Sequence, residues 1–217
     1  PLPMIKWEIV KKNPKVFLGL SDITVLLNAI HQKTGLVTFH GNDVLWGFGN
    51  NLADFERQEF ERVLMKGEAG KYPVNRSRDT IRAGKAHGRL LGGNLRCLLK
   101  LAGTAYWPAF TDSILFVEAY EISAKACHTA FHQLKQMGVF DQVRGAVVGY
   151  IDCMQRDEQP KPHMEDILLE TTREYAFPIL KMNDFGHNCP NTVLPVGAEV
   201  SLDADNSSVE LLSPVVY

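Results

Sequence analysis

An excess of positive charge is missing from this chain: 23 Lys and Arg are interspersed with 25 Asp and Glu, for a formal net charge of −2. Phosphate-backbone binding needs a basic surplus or cluster, so the balance argues against nucleic acid as a partner. Long hydrophobic runs are missing as well. None approaches the roughly 18 apolar residues of a membrane span, and no secretory apolar core stands at the present N-terminus, so no membrane partner is expected. Cysteine is sparse and scattered: Cys97, Cys127, Cys153 and Cys189 form no C-x-x-C pair. Free thiols and a cytoplasmic setting are expected, with Cys97 and Cys127 acting as small buried hydrophobes in helical apolar patterns. Phosphate-binding fingerprints are absent, because neither Gly47-Phe-Gly49 nor Gly92-Gly93 has the required spacing. His128 and His132 have the spacing of a zincin pair, but Thr129 stands where the glutamate would follow, and Cys189 beside His187 has no second cluster to complete a zinc site. No metal or organic cofactor is expected.

What the chain does hold is apolar content of 45% over 217 residues, sufficient for a substantial core in one large or two small domains. Its most informative segment is Lys15-Val-Phe-Leu-Gly19-Leu20-Ser21-Asp22-Ile23-Thr24. Val16, Phe17 and Leu18 suit a short buried parallel strand, while Ile23, Leu26, Leu27 and Ile30 recur on one face of a helix that Gly35 ends. Ser21 therefore sits at a strand-to-helix turn. A serine hydroxyl is a weak nucleophile, and such a turn exposes it beside helix-terminal N–H groups, that of Asp22 included, which have no intrahelical partner. A serine here also serves as an ordinary helix cap, and Ile23 replaces the second glycine of a G-x-S-x-G elbow.

Two further groups are candidates for the same chemistry, although a lone strand-end glutamate is ordinarily solvated or ion-paired and a lone loop histidine ordinarily structural or exposed. Ile114-Leu-Phe-Val-Glu118 is an apolar strand ending on a carboxylate, and Asn183 to Asn191 is a polar, turn-rich loop that presents His187. In a triad the imidazole takes the serine proton and the carboxylate fixes its tautomer, roles set by geometry rather than by sequence distance.

The blocks Asn13-Pro-Lys-Val-Phe-Leu-Gly-Leu-Ser-Asp-Ile-Thr24, Thr34-Gly-Leu-Val-Thr-Phe-His-Gly41, Gly88-Arg-Leu-Leu-Gly-Gly-Asn-Leu95, Ile114-Leu-Phe-Val-Glu118 and Asp184-Phe-Gly-His-Asn-Cys-Pro-Asn191 occur in order over nearly the whole chain. Together they resemble the serine-peptidase family of L,D-carboxypeptidases and microcin C immunity proteins. The resemblance implies Ser21 as nucleophile, Glu118 as orienting carboxylate and His187 as general base. It also implies the Asp22 backbone N–H as an oxyanion donor and Asn94 near the substrate. It departs at Leu20, where the family commonly has an aromatic, and at the front: an α/β segment with a glycine-rich turn is expected before the elbow, whereas this chain starts at Pro1. The expectation is a fragment, poorly active alone, whose elbow strand needs neighbours at its edges.

Alternating β and α patterns predict a mixed α/β fold. The resemblance implies the remainder of a flavodoxin/amidotransferase-like N-terminal domain over residues 1–83, carrying the elbow, and a C-terminal swivelling β/β/α-type domain over 84–217, carrying Glu118 and His187. The stretch Lys71 to Lys85 reads as the connection, and Val196 to Leu202 with Val209 to Leu212 as a closing β-hairpin. Trp46 and Phe48, in a glycine-rich loop, read as packing residues ahead of substrate-stacking ones.

The expected activity is hydrolysis of an amide bond near a free carboxylate. The resemblance offers murein tetrapeptides or peptidyl and aminoacyl nucleotides of the microcin C type as substrates, with a homodimer as the assembly. Two alternatives stand: a catalytically impaired fragment acting as a binding or interaction module, and an ordinary α/β-hydrolase esterase.

Overall fold

The computed structural model describes residues 2–155 and 162–216, with the side chain of Trp46 outside that description together with the packing expected of it. The strands are β1 Leu18–Gly19, β2 Thr38–His40, β3 Gly70–Lys71, β4 Arg78–Arg82, β5 Lys85–Asn94, β6 Ser113–Glu118, β7 Val143–Tyr150, β8 Ile179–Gly186, β9 Leu194–Val196, β10 Glu199–Asp203 and β11 Ser208–Leu211. The α-helices are α1 Trp7–Lys12, α2 Ile23–Thr34, α3 Asp54–Phe60, α4 Leu95–Leu99, α5 Ala124–Gln136, α6 Asp152–Gln155 and α7 Met164–Thr171. A wider helical turn, Glu61–Met65, prolongs α3.

Two sheets organise these elements. The smaller has the order β1-β2-β9 and the larger β3-β11-β10-β5-β6-β7-β8-β4. In the larger, β5, β6, β7 and β8 run parallel, and every residue of β6 is buried, as its unbroken apolar run demands when both faces are covered. Helix α5 places Cys127, Ala130, Phe131 and Leu134 in the core, its first turn capped by Ser123 Oγ, which accepts from the Ala126 amide at 3.2 Å. The C-terminal ends of β5, β6 and β8 carry Asn94, Glu118 and Gly186, at the edge where open parallel sheets bind ligands.

Several expectations are corrected. The stretch Lys71 to Lys85, read as a connection, supplies β4 and ends of β3 and β5, all within the large sheet; its backbone groups find partners in β8 and β11. The polar segment from Asn183 begins as strand, because β8 continues through Gly186 and buries Asp184 against Arg78 at 2.7 Å. The elbow strand is shorter than its apolar run: Val16 is half exposed, and only Leu18 and Gly19 pair, parallel to Phe39 and His40. The closing hairpin is present as β10 and β11, but Val196 belongs to β9 in the smaller sheet, antiparallel to β2. Phe48 packs edge-on to Phe60 at 4.7 Å, in keeping with a packing role.

Candidate active site

Ser21 follows β1 and precedes α2 with φ of 60°, the left-handed region that side chains with a Cβ avoid. Such strain persists only where its surroundings enforce it, and here they do. The Ile23 side chain folds back over Gly19, where a Cβ would lie 2.5 Å from Ile23 Cγ2, so glycine at 19 and isoleucine at 23 fit one another. The amides of Ile23 and Thr24 donate to Leu20 O and Ser21 O at 3.2 and 2.9 Å; among the described residues none accepts from the Asp22 amide.

A second close approach sets the elbow against the large sheet. Gly93 of β5 has φ of 132°, and a Cβ there would lie 2.6 Å from both Oγ1 and Cγ2 of Thr24 on α2. Thr24 Oγ1 accepts from the Asn94 amide at 2.9 Å, and Asn28 Nδ2 donates to Gly92 O at 2.8 Å. Helix α2 is thereby pressed onto the strand beside β6, whose Glu118 stands in register with Asn94.

Glu118 and His187 meet. Nδ1 of His187 lies 2.6 Å from Glu118 Oε2, the carboxylate fully buried and the ring largely so. A carboxylate accepts only, so Nδ1 carries the proton and Nε2 is left for other work. Tyr120 packs its ring 5.1 Å from that of His187. Asn191 holds the histidine loop in shape: its Oδ1 accepts from the Gly186 amide at 2.8 Å and its Nδ2 donates to Asn42 Oδ1 at 3.0 Å. Glu56 of α3 joins in, accepting from the Asn191 amide at 3.0 Å and the Ala53 amide at 2.8 Å.

Ser21, Asp22 and His187 line one cavity of about 730 Å3, together with Tyr120, Asn42, Glu56 and Asn191 among others. No hydrogen bond joins Ser21 to His187 among the described residues, as is common before substrate tightens a catalytic site. Asn94 Oδ1 caps α4 by accepting from the Cys97 amide at 3.2 Å, and Asn94 is not among the residues that line the cavity. The Asp22 carboxylate accepts from Lys100 Nζ at 2.6 Å and Cys97 Sγ at 3.1 Å. Cys189 lines the cavity, but burial pushes its thiol far above neutral, so it lacks the thiolate a rival nucleophile would need. Among the described residues no group of three or more His, Cys, Asp or Glu is arranged to hold a metal ion.

Family models match on both sides of this cavity: the LD-carboxypeptidase N-terminal domain over residues 1–41 and the LD-carboxypeptidase C-terminal domain over residues 87–202. The chain belongs to the LD-carboxypeptidase family. Membership places it among carboxypeptidase-type hydrolases. It is 29% identical over 241 residues to the microcin C7 self-immunity protein MccF of Escherichia coli, a match covering 97% of this chain and 69% of the relative. It is 28% identical over 201 residues to a probable murein peptide carboxypeptidase of Bacillus subtilis, covering 92% and 63%. A solved structure of MccF with aspartyl sulfamoyl adenosine superposes with a TM-score of 0.89 at 28% identity, covering all of this chain and 72% of the other. The chain thus spans about two thirds of the length of the curated relatives it matches.

Sequence reasoning reached Ser21, Glu118 and His187 but passed over Tyr120, Asn42 and Glu56. Asn42 directly follows the block Thr34 to Gly41, and that adjacency is a signal; Glu56 lies on an otherwise ordinary helix and carries none.

Proposed function

We propose that this chain is a serine hydrolase that cleaves an amide bond near a free carboxylate through Ser21, His187 and Glu118. The observation that carries the reading is the Glu118–His187 hydrogen bond of 2.6 Å in the cavity that also holds the strained Ser21. Ser21 Oγ attacks the carbonyl carbon while His187 Nε2 takes its proton, and Glu118 stabilises the imidazolium that forms. The Asp22 amide receives the oxyanion. Collapse breaks the C–N bond, the leaving amine takes the proton from His187, and a water activated by the same imidazole then cleaves the acyl-enzyme. The residues come from two parts of the chain, Ser21 from the elbow and the other two from the large sheet. A displacement of about 1 Å between those parts is expected to cost on the order of a hundredfold in rate.

Among substrates, peptidyl or aminoacyl nucleotides and murein tetrapeptides both suit a cavity of about 730 Å3. The bound aspartyl sulfamoyl adenosine of the MccF structure supports the first, and the Bacillus subtilis relative's name the second. Incubating the protein with an aminoacyl sulfamoyl adenosine and with a murein tetrapeptide, and following products by mass spectrometry, separates them. A fluorophosphonate probe tests the chemistry itself: labelling at Ser21, abolished in Ser21→Ala and slowed in His187→Ala, is expected, and a folded protein that never labels overturns the reading. The free cysteines suit a reducing, cytoplasmic compartment. The homodimer is tested by sedimentation.

A further inference from the structure

His40 is the buried titratable group that this chemistry leaves unused. It ends β2, in register with Gly19 of the elbow strand on one side and Leu194 of β9 on the other. Its ring is fully buried and edge-on to Phe116 and Phe185, with centroids 5.3 and 6.1 Å away. Phe116 stands two residues before Glu118 on β6, and the strand's alternation turns both side chains to one face; Phe185 stands two residues before His187. The imidazole therefore packs against the two segments whose side chains make the carboxylate–histidine pair.

Two facts about partners converge there. Among the described residues neither ring nitrogen of His40 has a hydrogen-bond partner, and neither does Oε1 of Glu118, the oxygen that His187 does not use. Buried polar atoms are rarely left so, because each forfeits its water without a replacement. A neutral imidazole has one N–H to give, and a carboxylate oxygen has only lone pairs to receive it, so the two deficits are complementary. The charges acting on the His40 ring are those of Glu118 and His187, and burial holds it neutral by pushing its pKa down to about 4.

We propose that His40 is a positioning residue, its ring N–H serving Oε1 of Glu118 directly or through one buried water, so that the carboxylate plane is held with Oε2 on His187. This rests on the triad reading above and extends the relay to Ser21–His187–Glu118–His40. A neutral donor fixes the carboxylate without cancelling its charge, which stays available to the His187 imidazolium. Because β2 also pairs with the elbow strand, the same residue couples the position of Ser21 to that of Glu118.

The test compares His40→Leu, which keeps volume and removes the donor, with His40→Gln, which restores an N–H. With both folded by circular dichroism, His40→Leu is expected to lower kcat roughly 10- to 100-fold, the scale of losing an outer orienting partner, with KM within about twofold. The downfield proton resonance of the His187–Glu118 hydrogen bond should shift upfield, and His40→Gln should recover both readouts. A His40→Leu protein with wild-type kcat and resonance, or equal losses in the two variants, overturns the proposal. If no hydrolysis is detected in the wild type, the functional reading fails while the resonance comparison still decides the role of His40. If His40→Leu does not fold, the ring 15N shifts of His40 are compared between wild type and Glu118→Gln: a change supports the contact and identical shifts refute it.

Discussion

The imidazole of His187 and the carboxylate of Glu118, 69 residues apart in the chain, meet at 2.6 Å because β6 and β8 end at the same edge of one sheet, with β7 between them. Nδ1 must hold the proton in that contact. Glu118→Gln offers an amide instead, which no longer demands that tautomer, and is expected to cut kcat on the order of 10³- to 10⁴-fold while fluorophosphonate labelling slows in step. A Glu118→Gln protein within tenfold of wild type would remove the carboxylate from the mechanism.

Ser21 is held at φ of 60°, so under the proposed mechanism function and stability oppose each other at this position. Ser21→Gly is expected to abolish labelling yet raise stability by up to about 1 kcal/mol, a rise of roughly 2–4 °C in Tm. Ser21→Ala keeps the Cβ and should abolish labelling with Tm unchanged. Equal melting temperatures for the glycine and alanine variants would show that the turn is not strained.

The contact of Gly93 with Thr24 joins the elbow helix to the strand beside Glu118. Gly93→Ala puts a methyl into Thr24 at a backbone angle suited to glycine, and is expected to cost more than about 2 kcal/mol in urea unfolding. The folded fraction should retain fluorophosphonate labelling at a rate lowered about a hundredfold, since α2 must move away from the sheet. A stable variant with undiminished labelling would sever the link between this contact and the site.

His40 also predicts acid sensitivity. Its ordinary pKa of 6.5 is pushed down to about 4 by burial, against the pull of Glu118 and with the repulsion of His187. A base kept neutral in the folded state takes up its proton on unfolding, so its contribution is fully present above about pH 6.5 and is lost as pH falls toward about 4. The shift corresponds to about 3 kcal/mol. Urea unfolding of wild type and His40→Leu at pH 7 and pH 4.5 should show the stability difference moving against the wild type on acidification; a difference independent of pH would contradict it.

Cys189 tests the competing nucleophile. Its raised thiol pKa predicts that iodoacetamide at pH 7.5 leaves it unmodified in the folded protein, and that Cys189→Ala keeps labelling at Ser21 within about twofold. Loss of labelling on that substitution would reopen the question of which atom attacks.

Much of this molecule was legible in one dimension, because the relevant physics is local. An apolar run into Gly19-Leu20-Ser21 announces a strand-to-helix turn, the 3.6-residue spacing over Cys127 to Leu134 makes a helix with one buried face, and the run Ile114 to Val117 makes a strand covered on both sides. Three side chains worth explaining stand at the ends of such elements. Pairing was not legible in that way. Arg78 to Arg82 is too polar to announce a strand and becomes one by pairing with the edge of β8; Val196 leaves the hairpin and pairs instead with Thr38 of β2. That Asn94 caps α4 was not legible either, since a cap is defined by where the next amide points. That His187 reaches Glu118, and that His40 lies buried among the same strands, depends on sheet order and strand register. Those are set by the summed burial of many distant residues, which no short stretch of sequence contains.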